Sequence, residues 1–209
     1  MNRSSLDHIV VTAPSLAAGV EHVHRALGVA PTTGGEHPRM GTHNALLRLG
    51  GASYLEVIAA NPAAPRPARP RWFELDHLAP DSAPRPAAWV ARSSDLRTIA
   101  VASPIPLGTV EAATRGDLAW NITLPAGGAL VERGVVPMVI EWTSGSHPAG
   151  RLPDVGLSLE MLELAHPRPD AIESVLKWMG FEGPATVQHG DVPSLRARVR
   201  TPEGMRTLA

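Results

Sequence analysis

The chain has 209 residues, with 44% hydrophobic and 19% charged positions, enough apolar material for a packed core and too little charge for wholesale disorder. Lys+Arg is 19 against Asp+Glu 20, a formal net charge of −1, which argues against a nucleic-acid backbone or an anionic membrane as the main partner. Cysteine is absent, so disulfides, thiolate metal sites and cysteine nucleophiles are excluded, and the chemistry falls to histidines, carboxylates and hydroxyls. No apolar run is long enough to span a bilayer, and Asp7 and His8 interrupt the N-terminal apolar stretch, so the expectation is a soluble, cytoplasmic protein.

Leu6 to Thr12 (LDHIVVT) is rich in β-branched residues and predicts a strand. Ser15 to Leu27 places Leu16, Val20, Val23 and Leu27 at helical spacing, with Ser15 as N-cap and Gly28 as the stop. A short strand is expected between Val29 and Thr33, then a Gly/Pro-rich loop from Thr33 to Gly41. Asn44 to Leu49 and Ser53 to Ala59 flank Gly50-Gly51 and read as a hairpin, completing β-α-β-β-β over residues 1–60. Residues 61–86 are proline-spaced linker, stiff and extended, around a helix-like piece from Trp72 to Leu78.

From Ala87 the pattern starts again, and residues 87–143 form a second β-α-β-β-β unit that ends in Val135 to Thr143 (VVPMVIEWT). Ser15-Leu16 aligns with Asp95-Leu96, an offset of 80 residues, as a repeat of pattern with little identity. Residues 157–209 hold a third, partial unit, with strand-like LSLEMLEL, a helix over Asp170 to Trp178 and a C-terminal hairpin. The predicted class is α+β: repeated βαβββ modules whose mixed sheets curl around a central cleft, because each module leaves one sheet face in need of a partner.

Alternation with period 2 then assigns side chains to faces. Ile9 and Val11, and Leu55 and Val57, form helix-facing rows, so His8, Tyr54 and Glu56 share the concave face of the first module. In the next strand the row Ala45, Leu47, Leu49 takes His43 with it and turns Asn44 to the cleft. Glu56, inside the apolar run YLEVIA, requires a partner if buried: a metal ion, or a cation such as Arg48. His8 reads either as a metal ligand or as a core histidine bonded to a backbone carbonyl.

LDHIVV, the segment His37-Pro38 with Gly41-Thr42-His43-Asn44, YLE at 54–56 and PMVIEW at 137–142 with His147-Pro148 resemble, in that order, the glyoxalase-like domain of the vicinal oxygen chelate superfamily. The resemblance spans roughly residues 6–180 and implies one glyoxalase-like domain with a metal in the cleft, held by a first-strand residue and a fourth-strand Glu. Carried to this chain, those positions are His8 and Glu56, with His37 of the HP motif as third ligand and Fe, Mn, Zn or Ni as the ion. Asn44 would orient a small oxygen-bearing substrate, Trp120 and Trp142 would wall the cavity, and Glu141 would serve as general base. Lyase, isomerase and dioxygenase chemistry are all open under this resemblance. The second module departs from the pattern, since Ala88 stands where His8 stands in the first. That gap favours the superfamily's metal-free, antibiotic-sequestering members as the alternative, with Trp120, Trp142 and Tyr54 stacking on a ligand. A blander third option is a degenerate module acting only through oligomerisation, and pairing of modules within a chain or across a homodimer is open.

Overall fold

The computed structural model describes residues 2–144 and 146–209. Strand β1 (Ser4–Thr12) leads to α1 (Leu16–Leu27), β2 (Thr32–His37), β3 (Thr42–Arg48) and β4 (Tyr54–Ala60). The second unit is β5 (Arg85–Arg92), α2 (Leu96–Ala102), β6 (Thr109–Arg115), β7 (Leu118–Leu124) and β8 (Met138–Ser144). These eight strands form one sheet in the order β2-β3-β4-β1-β5-β8-β7-β6, so the two modules are mirrored in strand order about the β1–β5 seam. That seam is antiparallel and lies within one chain, while β1–β4 and β5–β8 are parallel.

Local chemistry explains the first module. The Ser15 hydroxyl accepts from the Ala18 N–H, and Gly28 at φ 78° closes α1 by donating to the His24 carbonyl. Gly19 sets how closely the helix lies on the sheet: a Cβ there would fall 2.4 Å from Val57 Cγ1. Strand β2 extends through what the sequence reads as a loop from Thr33. Its glycines, Gly34 and Gly35, have little strand preference, and pairing with β3 supplies the order instead.

The large sheet carries a core on each face. The convex side gathers Ile9, Val11, Val23, Leu55, Val57, Trp89 and Val139; the concave side gathers Val10, Ile58, Trp72, Phe73, Val90, Trp120 and Ile140. Trp89 is fully buried and its indole N–H donates to the Val135 carbonyl at 2.8 Å. After a short helical turn α3 (Pro148–Arg151), the C-terminal unit comprises β9 (Ser158–His166), α4 (Pro169–Trp178), β10 (Phe181–Glu182), β11 (Ala185–His189), β12 (Ser194–Thr201) and β13 (Gly204–Leu208). Only β10 joins the large sheet, beside β1; the others make a separate sheet, β11-β9-β12-β13. Leu162, Leu164, Ala197, Val199 and Leu208 place that sheet in the convex core, so the third unit covers the outside of the curl and adds no wall to the cleft.

The linker between modules is also more specific than its composition suggests. Trp72–His77 forms 3-10 turns, with Phe73 (φ 57°) and Glu74 (φ 56°) in the left-handed region. Two consecutive non-glycine residues there carry backbone strain; burial of Trp72 and Phe73 in the concave core, and the Leu130 N–H donated to the Glu74 carboxylate, hold them. No described helix is long and apolar enough to cross a membrane.

Leu55→Ala, at a fully buried position, is expected to cost about 2–5 kcal/mol in urea denaturation. Val101→Ala, at a residue 88% exposed, should stay within about 0.5 kcal/mol.

Candidate functional site

The concave face of the first module holds a continuous chain of polar groups. His8 donates from Nδ1 to Asp7 at 2.7 Å, and its Nε2 lies 3.4 Å from Glu56. The other Glu56 oxygen accepts from the Asn44 amide, whose own oxygen accepts from the Gly35 N–H at 2.7 Å. The second Asp7 oxygen accepts from the Trp142 indole N–H and from His147 Nε2, both at 2.9 Å. His147 is fixed in turn by the Ala149 N–H, which donates to its Nδ1. The Tyr54 ring stacks on His8 with centroids 4.6 Å apart.

Two bulges make this chain possible. Between Leu6 and His8 the pairing of β1 with β5 slips by one residue, so that Leu6 and Ile9, three apart, both face the convex core. Asp7 is the extra residue, and strict alternation, which would send it to the helix side with Ile9, fails there. In β2, Gly34 and Gly35 together oppose the single residue Asn44. A Cβ at Gly34 would lie 2.2 Å from Asn44 Oδ1, so glycine leaves the room in which the amide is gripped.

Burial alone would drive all these groups toward neutrality. For His8 that tendency is overridden by the hydrogen bonds and charges of Asp7 and Glu56, which lift it from 6.5 to about 9. Glu56 is likewise pushed up by burial and pulled down harder by His8, His37 and Asn44, to about 2. Asp7, bonded to His147 and His8, is held well below the usual carboxylate range despite its burial. His37 has no such partner, and burial takes it down to about 4, so it is neutral at pH 7. The result is an imidazolium clamped between two carboxylates with a neutral histidine nearby.

Asn44 therefore lies on the concave face, buried and bonded to Glu56, behind the residues that line the cavity. His37 lies in the cleft wall, with its Nδ1 3.1 Å from the Thr42 hydroxyl and its ring edge-on to Trp72 at 5.0 Å. It does not complete a three-ligand set with His8 and Glu56: among the described residues no group of three or more His, Asp or Glu is arranged to hold a metal ion. Arg48 does not partner Glu56, because its guanidinium donates to the Gly50 carbonyl. Glu141 is not brought to the cleft. Ile140 and Trp142 belong to the concave row of β8, which leaves Glu141 on the opposite face, where the Asn121 amide donates to it at 3.1 Å. Ala88 lies in the concave core, on the same face as His8, as the 80-residue offset implies.

Trp120 and Trp142 stand 5.4 Å apart and, with Trp72, line an inner cavity of about 30 Å³ against His8 and Glu56. A second chamber of about 330 Å³ adjoins it through the shared residues His37, Trp72, Trp120 and Ile122. At its rim Arg69 grips Glu111 with two bonds, at 2.6 and 2.8 Å, and Arg39 donates to Glu111 and to the Ala112 carbonyl. Sequence reasoning missed Asp7, Trp72 and Arg115 as cleft residues. A carboxylate beside a histidine in an otherwise apolar strand was a usable signal for Asp7. Nothing in the linker composition or in the Arg115-Gly116 turn marks the other two.

Residues 6–180 match the family described as the glyoxalase-like domain. No curated protein matches the chain. Among solved structures, a hypothetical protein from Staphylococcus aureus is similar with a TM-score of 0.60 at 12% identity, covering 91% of this chain and 88% of that one. Methylmalonyl-CoA epimerase from Mycobacterium tuberculosis has a TM-score of 0.43 at 19% identity, covering 69% of this chain and 91% of its own. The Staphylococcus likeness is one of fold. With the family match running over most of its length and paired βαβββ modules curled around one cleft, the chain belongs to the glyoxalase-like domain family.

Proposed function

We infer that this protein is a small-molecule-binding member of its family whose cleft works without a metal ion. The observation that carries this reading is the position of His8: each ring nitrogen already faces a carboxylate, so an imidazolium fills the place between Asp7 and Glu56 that a divalent ion would otherwise take. Each carboxylate also accepts from further neighbours, Glu56 from the Asn44 amide and Asp7 from Trp142 and His147, so part of its charge is already met from within the chain. The ligand would occupy the outer chamber, with Trp72 and Trp120 as flat apolar walls.

One observation favours a second reading, a metal-dependent lyase, isomerase or dioxygenase. A carboxylate on His8 Nδ1 is the support that a metal-bound imidazole commonly has. Elemental analysis of protein purified without chelator, then incubated with Fe(II), Mn(II), Zn(II) or Ni(II), separates the two. Less than roughly a tenth of an ion per chain is expected, in wild type and in Glu56→Ala alike. Near-stoichiometric metal that disappears in Glu56→Ala would establish the enzyme reading instead.

The charge arrangement fixes a pH profile. His8 is raised in the folded state, so its contribution is complete below 6.5 and lost as pH climbs from 6.5 through about 9. His37 is lowered, so keeping it neutral costs stability as pH falls from 6.5 through about 4; Glu56, also lowered, loses its contribution from 4.5 through about 2. Melting temperature is therefore expected to peak near pH 6.5. In His8→Gln the alkaline decline between pH 6.5 and 9 should flatten, and an unchanged decline would contradict the clamp.

A further inference from the structure

The proposed pocket has an imbalance of its own. Its carboxylates already hold internal donors, and two of its own donors have no partner among the described residues. Arg115, the last residue of β6, lines the inner cavity beside His37 and Glu56, and among the described residues its guanidinium makes no ion pair and no hydrogen bond. Its neighbours at the rim behave differently, since Arg39 and Arg69 share Glu111. The arginine is seated deliberately: a Cβ on Gly35 would fall 2.9 Å from Arg115 Cδ and 3.5 Å from Nε, so the glycine that grips Asn44 also makes room for this side chain. Its charge is felt at both His37 and Tyr54. The second donor is Trp72, which is 5% exposed, lines both chambers, and has its indole N–H buried without an acceptor.

Guanidinium and indole N–H groups are donors only. A buried donor left unmatched is costly, and a half-buried guanidinium facing an aromatic cavity is the usual receptor for a planar two-oxygen anion. The outer chamber, at about 330 Å³, is at the small end of ligand pockets and is walled by Trp72, Trp120, Met40 and Leu124. Resting on the small-molecule reading above, we propose that the ligand is a monocarboxylate with a flat apolar body: the carboxylate is held by Arg115 and the Trp72 indole N–H, and the body stacks in the outer chamber.

The test is a matched trio of 3-phenylpropanoate, 3-phenylpropanamide and 3-phenylpropylamine, titrated into the full chain while the indole N–H resonances of its five tryptophans are followed by NMR. The carboxylate is expected to bind about tenfold or more tighter than the amide, and the amine weakest. In Arg115→Gln the carboxylate should fall to the amide's affinity with amide and amine unchanged, while Arg115→Lys should retain part of the preference. Equal binding of acid and amide, tighter binding of the amine, or a preference that survives Arg115→Gln overturns the anion assignment and leaves the pocket reading in place. If none of the three shifts the Trp72, Trp120 or Trp142 resonances at millimolar concentration, the pocket reading falls with it.

Discussion

Two carboxylates buried on the same concave face are what the rest of the cleft is built around. Asp7 is fully inaccessible and Glu56 nearly so, and each would be untenable as an anion without compensation. A single histidine between them supplies one positive charge for two negative ones. The remainder is met by further donors: the Asn44 amide, the Trp142 indole and His147. Those donors come from β3, β8 and the segment ahead of α3, so neutralising the pair ties three separate stretches of chain to β1 and β4. The bulges at Asp7 and at Gly34-Gly35 are the backbone's accommodation of that electrostatic requirement.

The two modules share a topology and divide the labour. In the first, the concave face is polar and closed upon itself. In the second, the position equivalent to His8 is Ala88, and the concave face is Trp120, Ile122, Met138 and Ile140. One half of the sheet thus carries the internal ion pair, and the other offers aromatic surface with Arg115 at its margin. The strained turn at Phe73-Glu74 delivers Trp72 between them, completing a cavity that neither half encloses alone.

Much of this was legible because strand alternation is a hard geometric rule. It placed His8, Asn44, Tyr54 and Glu56 on one face, and the contacts among them follow from it. The same rule failed at Asp7, where an inserted residue breaks the period; no local sequence feature specifies a bulge that is set by pairing with a neighbouring strand. Glu141 turned outward because a strand's phase, unlike its existence, depends on one residue of register. The resemblance to a family suggested a metal on His8, His37 and Glu56; the structure joins His8 to Asp7 and Glu56 and sets His37 apart, and ligand-like residue types do not state whether they will face an ion or one another. The third unit consists of strands and one helix, and its destination on the convex face is decided by tertiary packing of Leu162, Leu164 and Val199.

The rim of the cleft has a consequence for how the molecule behaves among its own copies. Strands β2 and β6 are the outer strands of the large sheet, and exposed strand edges recruit other chains by backbone pairing. Curling brings these two edges toward each other, and the Arg39 guanidinium occupies the Ala112 carbonyl of β6 while also bonding Glu111. The glycine bulge interrupts the regular donor–acceptor row of β2. The curvature that creates a binding cavity thereby pins one point of the β6 margin to the turn that follows β2. The arginine contacts that frame the outer chamber therefore also restrain a free strand edge.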